Sequence, residues 1–388
     1  MDEIKLKYGC NPHQKNARVF SDNLPIKILS GNPGYINLMD ALNSYQLVRE
    51  LDLALDLPSA ASFKHVSPAG AAVYFPLNEE EKKMYFVKEE LSELAVAYTR
   101  SRGADRLSSF GDFVALSREC DESTAKCIKR EVSDGVIAPS YSEKALEILK
   151  QKRKGAYTVI QIDKDYVPPK SEKREIFGIT FEMDRNDALF DKSYLSNIVT
   201  KNKNLSDSSI IDLIVASIAV KYTQSNSVCY AYRGQTIGVG AGGQSRIHCT
   251  RLAGDKADRW LLRTHPKVLN LPFVAKLSRN AKDNVIEQYL NEQREIDLFN
   301  EETLTQYFDG EVEVLSAKEK KDYLKSIRGV SLSSDAFFPF EDNILRAYRS
   351  GVDYIVQPGG SIRDEQVIKA CDDLNITMSF SNLRLFHH

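Results

Sequence analysis

The chain has neither an excess of one charge nor a long apolar run. Its 52 basic residues are nearly matched by 54 acidic ones, which leaves a net charge of −2 over 388 residues. Proteins that attract nucleic acid or anionic membranes by charge carry an overall basic field, and this balance excludes one. The longest apolar stretch, residues 210–220, is interrupted by Asp212 and Ser217 and is too short to span a bilayer. We therefore expect no nucleic-acid partner and no membrane partner.

Closely spaced cysteine pairs and a secretion signal are also missing. No Cys-x-x-Cys pair occurs, and the polar N-terminus lacks the apolar run of a signal peptide. These features predict reduced thiols in a cytoplasmic protein. The six scattered cysteines are Cys10, Cys120, Cys127, Cys229, Cys249 and Cys371.

Two common nucleotide-binding motifs do not occur. The sequence contains no G-x-G-x-x-G and no G-x-x-x-x-G-K-[ST], so neither a dinucleotide-binding fold nor a P-loop ATPase is indicated. A different glycine-rich segment, residues 240–246, lies between a predicted strand and a predicted helix. The free N–H groups at the start of such a helix suit an anion.

What is present is an alternation of helical and strand patterns, which predicts the α/β class. A chain of 388 residues exceeds one ordinary core, so we expect two domain-sized units. The polar run at residues 166–173 is the predicted linker, giving subdomains at residues 1–165 and 166–388. Residues 79–102 are expected to form one long amphipathic helix, and residues from about 255 to 325 a helical insertion with little chemistry.

A tight hairpin is predicted in the later half of the chain. Residues 228–232 and 236–239 read as strands on either side of the turn-forming pair Arg233-Gly234. The helix before them has Ser206 or Asp207 as its expected N-cap.

The most informative segment surrounds Lys64 and His65. Small apolar residues at 60–63 end a predicted buried strand, and Pro68 and Gly70 predict a turn after it. The two polar side chains would then lie at a strand end, where open α/β sheets bind ligands. A fixed cation beside a group that titrates near neutral pH suits proton transfer near a developing oxyanion. Taken alone, the pair is also typical of an ordinary surface loop.

This segment is one of six short motifs that occur in one order along the chain. They are Lys7-Tyr8-Gly9 with Asn11-Pro12-His13-Gln14, Lys64-His65-x-Ser67-Pro68-x-Gly70, Ser109-Phe110-Gly111, Ser225-Asn226-Ser227, Ser334-Asp335-Ala336-Phe337-Phe338-Pro339-Phe340, and Asn382-Leu383-Arg384. Together they resemble the 5-aminoimidazole-4-carboxamide ribonucleotide (AICAR) formyltransferases, the transformylase region of bifunctional purine-biosynthesis enzymes. The resemblance extends from about residue 5 to the C-terminus.

This resemblance implies an activity and a fold. The activity is transfer of a formyl group from 10-formyltetrahydrofolate to the 5-amino group of AICAR, in purine (IMP) biosynthesis. The implied fold is two cytidine-deaminase-like α/β/α subdomains, with the helical insertion in the second. The implied assembly is a homodimer whose active sites draw on both chains.

The resemblance also implies roles for single residues. His65 would be the proton acceptor, Lys64 would stabilise the transition state, and Asn226 would polarise the formyl oxygen. The residues implied to hold AICAR are Lys7, Tyr8, His65, Gly111, Asp134, Asn226, Arg246, Asp342 and Arg384. Those implied to hold the folate are Ile247, Phe337, Ser361 and Ile362.

No tightly bound cofactor is expected, because the folate is a cosubstrate and the transfer needs no metal. The H-x-E…P-C-x-x-C zinc signature of deaminases is absent. The family resemblance does imply a structural alkali-metal ion, here potassium. Its candidate ligands are the oxygen-rich residues Thr223, Ser225, Ser227 and Asp335.

Two departures from the family pattern affect these expectations. Nothing in the sequence precedes the first transformylase motif, so the chain looks monofunctional, and a separate IMP cyclohydrolase would act next. Lys7 stands where the family typically has Arg, which keeps the charge but loses the planar fork that grips a phosphate. Three other functions stay open: an AICAR or folate sensor without turnover, a 10-formyltetrahydrofolate hydrolase, and an enzyme that uses formate with ATP directly, which the missing phosphate loop disfavours.

Overall fold

Eleven strands form one continuous sheet in the computed structural model, which describes residues 1–291 and 297–388. Helices cover both faces of the sheet, which confirms the predicted α/β class. Within the described part of the chain, no helix is both long and apolar enough to cross a membrane.

The first part of the chain contributes six strands of this sheet and a separate N-terminal ribbon. In order, its elements are β1 (Asp2–Lys5), β2 (Arg18–Ser21), β3 (Ile26–Ser30), α1 (Tyr35–Leu55), β4 (Ser59–Lys64), β5 (Ser67–Val73), α2 (Glu79–Met84), α3 (Glu93–Gly103), β6 (Asp112–Leu116), α4 (Glu122–Arg130), β7 (Ser133–Ala138), α5 (Glu143–Lys150) and β8 (Thr158–Ile162).

The second part begins with an isolated two-stranded hairpin and then repeats the pattern. Its elements are β9 (Ser171–Ile176), β10 (Ile179–Asp184), α6 (Asp207–Lys221), β11 (Val228–Tyr232), β12 (Gln235–Gly240), α7 (Arg246–Leu262), α8 (Pro266–Leu269), α9 (Arg279–Leu290), α10 (Glu301–Tyr307), α11 (Ala317–Ser326), β13 (Val330–Ser334), α12 (Asp342–Arg349), β14 (Val352–Gln357), α13 (Asp364–Asp373) and β15 (Thr377–Phe380). The short helices α8 to α11 confirm the helical insertion, although residues 292–296 within it lie outside the described part of the chain.

The strand order is mirrored about the centre of the sheet. It runs β15-β14-β13-β11-β12-β5-β4-β6-β7-β8-β3. Each half places a hairpin at the centre, an antiparallel strand beside it, and two more strands parallel to that one. The halves meet where β5 and β12 pair antiparallel, with Gln235 opposite Ala72; we call this junction the seam. The cytidine-deaminase-like character of the halves and the boundary at residue 165 stay predictions.

The mirrored order places the two hairpin turns at opposite edges of the sheet. The β4–β5 turn shares its edge with the first residues of β6, β7 and β11 and the last residues of β12, β13 and β14. We call this row of strand ends the first edge; the word edge here refers to the ends of the strands and not to an outermost strand. The β11–β12 turn lies at the other edge, beside the end of β5.

Three helix–sheet interfaces form the core. Helices α1 and α6 pack on one face of the sheet and join both halves in a single apolar cluster. On the other face, α3, α4 and α5 cover the first half, while α7, α12 and α13 cover the second. Alternate strand residues point to opposite faces, so Ala60 and Ala61 enter different clusters. Ser206 caps α6, as expected, by accepting the backbone N–H of Ser209 at 3.2 Å.

Two sequence predictions about this framework were wrong. The expected helix over residues 79–102 is two helices, because the chain leaves helical geometry after Met84 and Phe86 takes a φ of +55°. The polar run at residues 166–173 is only partly a connection, since from Ser171 it enters β9. Helical periodicity does not record a left-handed residue, and the charged side chains of β9 hid its strand pattern.

Candidate active site

Lys64 and His65 lie where β4 ends at the first edge of the sheet. The turn is the pair His65–Val66, with φ values of +55° and +60°, and not the predicted Pro68 and Gly70, which lie inside β5. Two residues with positive φ match the twist of a tight hairpin. Gly70 serves packing instead, because a Cβ there would lie 2.0 Å from the carbonyl oxygen of Ser101 on α3.

A carboxylate on α1 holds this turn from behind. Asp40 Oδ1 accepts the backbone N–H of Val66 at 2.6 Å, and its charge lies close to His65. Burial raises the pKa of Asp40, and the Val66 N–H and the neighbouring imidazole offset part of that rise. His65 itself is exposed. The arrangement therefore presents an accessible imidazole on a fixed backbone, with the Asp40 carboxyl group behind it.

Lys64 reaches towards the start of the next strand. Its Nζ donates to the carbonyl oxygen of Phe110 at 2.7 Å. The adjacent Gly111 has a φ of +77°, and no atom lies within 4 Å of the position where a Cβ would be. Open space over a left-handed glycine lets a ligand approach the backbone there. The structure thus brings Lys64, His65 and Gly111 to one place.

Asp134 completes the group on this side. It lies at the start of β7, near enough to Asp40 to raise that carboxyl's pKa, and it pairs with Arg153 at 3.0 Å. Both members of the pair are about half exposed. A ligand hydroxyl or amide arriving here would therefore compete with an accessible ion pair rather than a buried one.

The predicted residues of the second half gather around Asp335, at the end of β13. One oxygen of the Asp335 carboxylate accepts from the guanidinium of Arg246, which is 7% exposed. Arg246 also donates to the Ser334 hydroxyl at 2.8 Å and to the Asn226 side-chain oxygen at 2.6 Å. The Asn226 amide nitrogen in turn donates to the Gly243 carbonyl at 2.9 Å. Arg246 and Asn226 are thereby fixed in orientation, and the charge of Arg246 is matched by Asp335.

The candidate potassium ligands belong to the same cluster. The second Asp335 oxygen accepts the Ser225 hydroxyl at 2.6 Å and the Ser227 N–H at 3.0 Å. Thr223 and Ser227 donate their hydroxyl hydrogens to backbone carbonyls, so their oxygen lone pairs remain available. Neutral oxygens of this kind fit an alkali-metal ion, whereas the carboxylate charge is already used by Arg246. Among the residues described, no group of three or more His, Cys, Asp and Glu could hold a metal. The potassium site stays a prediction.

The C-terminal tail is tied to this cluster by its backbone. Leu385 donates its N–H to the Asp335 carbonyl at 2.8 Å, and His387 exchanges two hydrogen bonds with Ser225. Arg384, which immediately precedes Leu385, is exposed, with its guanidinium carbon 4.7 Å from the ring centre of Phe386. Within residues 1–291 and 297–388, Arg384 forms no ion pair. Its charge is therefore accessible to an anion.

Asp342 and the predicted folate residues border the same part of the sheet edge. Asp342 is the first residue of α12, and its carboxylate accepts a hydrogen bond from the side-chain amide of Asn343. The Asn343 side-chain oxygen and the Arg246 backbone carbonyl both lie within hydrogen-bond distance of the Thr250 hydroxyl. Two of the folate candidates are accessible: Phe337 is 41% exposed and Ile362 fully exposed, while the neighbouring Phe338 is buried. The four positions lie in the first turn of α7, after β13 and after β14; they are Ile247, Phe337, Ser361 and Ile362.

Lys7 and Tyr8 are not joined to either group. They follow β1 in the N-terminal ribbon, and in the part of the chain that the structure covers their side chains form no hydrogen bond or ion pair. Their predicted contact with AICAR remains a prediction.

The two groups of site residues share the first edge but do not touch. From β4, which ends in Lys64, to β11, which follows Asn226, the sheet crosses β5 and β12. Three steps between neighbouring strands amount to roughly 14 Å. The backbones that carry His65 and Asn226 are therefore well separated within one chain.

Sequence reasoning missed the residues that position the site. Asp40 was not singled out, although a carboxylate amid the apolar positions of α1 was a visible signal. Arg153 and the Phe110 carbonyl gave no signal, because their roles depend on contacts between distant segments. Asp335 was identified only as a metal ligand, whereas the structure makes it the partner of Arg246.

Comparison with known proteins identifies the family. The sequence profile described as AICARFT/IMPCHase bienzyme matches residues 1–256. This chain belongs to that family. The bifunctional purine biosynthesis protein PurH of Cereibacter sphaeroides is 29% identical over 396 residues, and that of Roseobacter denitrificans is 30% identical over 390. Each comparison covers 99% of this chain and 59% of the relative, so the chain spans about three fifths of the relatives' length.

Proposed function

We propose that this AICARFT/IMPCHase family member transfers the formyl group of 10-formyltetrahydrofolate to the 5-amino group of AICAR. The observation that supports this most directly is the turn at His65, which holds an exposed imidazole beside Lys64 and in front of Asp40. Membership of a family whose relatives are named as purine biosynthesis proteins supports the substrate.

The reaction needs the groups that this turn presents. The 5-amine of AICAR is a poor nucleophile, because its lone pair is delocalised towards the carboxamide. As the amine nitrogen bonds to the formyl carbon, a base must take a proton from it, and a cation must stabilise the oxygen that becomes negative. We assign the first role to His65 and the second to Lys64. Collapse of the tetrahedral centre then breaks the bond to the folate nitrogen, which takes up the proton that His65 received, and gives formyl-AICAR and tetrahydrofolate.

The second group of residues is assigned to binding. Arg384 is the accessible cation for the AICAR phosphate, while Arg246, matched by Asp335, orients Asn226 towards the substrate. The exposed apolar side chains of Phe337 and Ile362 offer a flat surface for the folate ring. No resident cofactor takes part in this scheme, and a potassium ion near Asp335 would only stiffen the loops that it contacts.

We further propose that two copies of the chain complete each site. The strand order supports this, because β4 and β11, whose ends carry His65 and Asn226, lie three strand steps apart in one chain, or roughly 14 Å. The β9–β10 hairpin supports it as well. All of its strand residues are exposed, and one face carries Ile176, Ile179, Phe181 and Met183. An isolated two-stranded hairpin is marginal in water, so a covering partner is expected.

The hairpin also stands beside the site. Glu172 and Arg174 on the same face lie close enough to His387 to influence its pKa, which burial lowers. A second copy covering this face would therefore be brought to the cluster around Asp335. Phe181→Asp should convert dimers to monomers in analytical ultracentrifugation and abolish turnover. Thr180→Asp, on the polar face of the hairpin, should change neither, and a Phe181→Asp protein that stays dimeric would contradict this arrangement.

The activity is tested by mixing the protein with 10-formyltetrahydrofolate and following tetrahydrofolate by absorbance, with and without AICAR. We expect turnover that requires AICAR and is lost in His65→Ala. Folate consumption that is indifferent to AICAR would identify a hydrolase instead. Tight AICAR binding without turnover would identify a sensor.

A further inference from the structure

A cavity of about 480 Å³ lies far from the site described above, between α2, α8 and α9. It opens where α2 follows β5, at the sheet edge opposite His65. β5 separates the two places by seven residues of extended chain, or roughly 20 Å. The volume is in the range typical of small-molecule sites. We call it the basic cavity, for the reason that follows.

The charge of its lining is entirely of one sign. Five of the lining residues are basic and none is acidic, in a chain whose overall charge is nearly balanced. The basic residues are Lys82, Lys83, Lys88, Arg263 and Lys282. Two of them are matched from outside the lining: Lys82 pairs with Glu79, and Arg263 with the buried Asp283. Lys83, Lys88 and Lys282 form no ion pair in the part of the chain that the structure describes.

Lys282 is the decisive residue among these. It is only partly exposed, and its Nζ lies 5.6 Å from the ring centre of Phe86 and 5.5 Å from that of Phe273. Aromatic faces attract a cation but do not neutralise it. A partly desolvated ammonium without a counter-ion favours the arrival of an anion.

The two rings are held in place by the backbone. Phe86 occupies the break between α2 and α3 with a φ of +55°, and Arg279 donates to its carbonyl. Bulky residues rarely adopt this conformation, which concentrates at ligand-contacting positions. Phe273 pairs with Phe308 both in a backbone bridge and as stacked rings 5.5 Å apart. The backbone is therefore held by hydrogen bonds at both residues, and the Phe273 ring is also held by stacking.

The floor of the basic cavity is apolar. Met84, Val268, Leu271 and Ile286 line it and are each less than 10% exposed. A bare inorganic anion would gain nothing from these residues or from the rings. A planar aromatic group fits against them, while an attached anion reaches the lysines.

We propose that the basic cavity is a second ligand site, which binds a planar aromatic ring bearing phosphate or carboxylate. Mononucleotides and p-aminobenzoyl-glutamate compounds both have this chemistry. Binding here lies outside the formyl-transfer site and needs no covalent step. The helical insertion, which the sequence suggested to have little chemistry, supplies most of the lining.

The test measures binding of adenosine 5′-monophosphate and of p-aminobenzoyl-glutamate by calorimetry, in the intact protein and in two variants. Lys282→Gln should weaken the bound probe by about tenfold or more, since a charge-assisted contact is lost. Lys318→Gln, an exposed lysine on α11 away from the cavity, should leave binding unchanged. The probe that responds to Lys282→Gln identifies the anion type.

Three outcomes would overturn the proposal. They are equal affinity of Lys282→Gln and the unaltered protein for both probes, equal affinity for neutral adenosine, and equal affinity for inorganic phosphate alone. Formyl transfer is assayed in parallel and should persist in Lys282→Gln. A protein that binds the probe at Lys282 but lacks transferase activity would refute the proposed function and leave this site standing.

Discussion

The two hairpin turns of the sheet share one backbone conformation but differ in the side chains around them. Each is a two-residue turn with positive φ: His65–Val66 in the first half and Arg233–Gly234 in the second. Each is held by a carboxylate at the sixth residue of the preceding helix. Asp40 of α1 accepts the N–H of Val66, and Asp212 of α6 accepts the N–H groups of both turn residues.

The side chains around the turns differ completely. His65 projects into the open, beside a lysine whose only hydrogen bond is to a backbone carbonyl in the described chain. Arg233 instead turns inward and shares the buried Glu81 with Arg100. Arg100 comes from α3 in the first half, and both it and Tyr85 donate to Gln235 in the second.

The same turn conformation, held by a helix carboxylate, therefore has a different role in each half. At the first edge it presents reactive groups to solvent. At the opposite edge it closes an ionic cluster across the seam and joins the halves of the sheet. Variants at matching positions should therefore affect activity at one turn and stability at the other.

Arg100→Met should have the largest effect on folding. It leaves Glu81 buried with only the partly exposed Arg233 as partner, which should lower the free energy of unfolding by about 3–5 kcal/mol. Urea unfolding measures this loss. Arg118→Met, at the half-exposed pair with Asp52, should cost less than about 1 kcal/mol. Similar losses in the two variants would show that the buried ion pairs at the seam contribute no more to the free energy of unfolding than an exposed ion pair does.

Lys64→Gln should lower kcat by about 10²–10³-fold, as expected for removal of an oxyanion stabiliser. Its unfolding midpoint should hardly move. Arg233→Gln at the matching turn should show the reverse, with nearly normal kcat and a lower midpoint. Steady-state formyl transfer and urea unfolding are measured for both variants. An equal loss of activity in the two would contradict the division between a catalytic turn and a stabilising turn.

The carboxylate that holds the second turn, Asp212, should make the stability of the fold depend on pH. Burial raises the pKa of Asp212 to about 7, against an ordinary value of 3.8. A raised folded-state pKa means that its stability contribution is full below pH 3.8 and is lost as pH rises through about 7. Relative to Asp212→Asn, the unaltered protein should lose about 3 kcal/mol between pH 5 and pH 8. Unfolding at the two pH values measures this; a difference independent of pH would place the Asp212 pKa near its ordinary value.

The smallest effect is expected from the turn residues themselves. Val66→Gly relieves a β-branched residue at a φ of +60° and should stabilise the fold by about 1 kcal/mol. Gly234→Val should destabilise it, because a Cβ there would lie 3.0 Å from that of Phe75. Thermal unfolding of both variants compares them. A Val66→Gly protein that is less stable would mean that the half-buried valine side chain outweighs the relief.

The sequence predicted the fold class and most elements because their signals are local. The β11–β12 hairpin, the Ser206 cap and the helical insertion all follow from spacing and turn residues within a few positions. The position of His65 at a strand end was also confirmed. The residues that resemble the family were recognisable because they occur in short contiguous motifs.

The remaining features depend on contacts between distant segments. Val66 adopts a left-handed conformation that its residue type disfavours, and Asp40, 26 positions earlier, holds it there. The break at Phe86 is likewise supported by Arg279, far along the chain. Local propensity favoured a helix that continues past Phe86, and it favoured a turn at Pro68 rather than at Val66. Tertiary hydrogen bonds decided otherwise in both cases.

The seam also bears on the order in which the chain folds. Its backbone contacts are few: Val73 donates to the Gly234 carbonyl, Ala71 to the Thr236 hydroxyl, and Gln235 lies opposite Ala72. These partners are more than 150 positions apart, whereas each half is closed by pairings between nearer strands. Loop closure over such a distance is slow, so we expect each half to collapse first and the two to dock last. Tyr85, Arg100 and Gln235 would then report the final step of folding, in which the apolar cluster shared by α1 and α6 also closes.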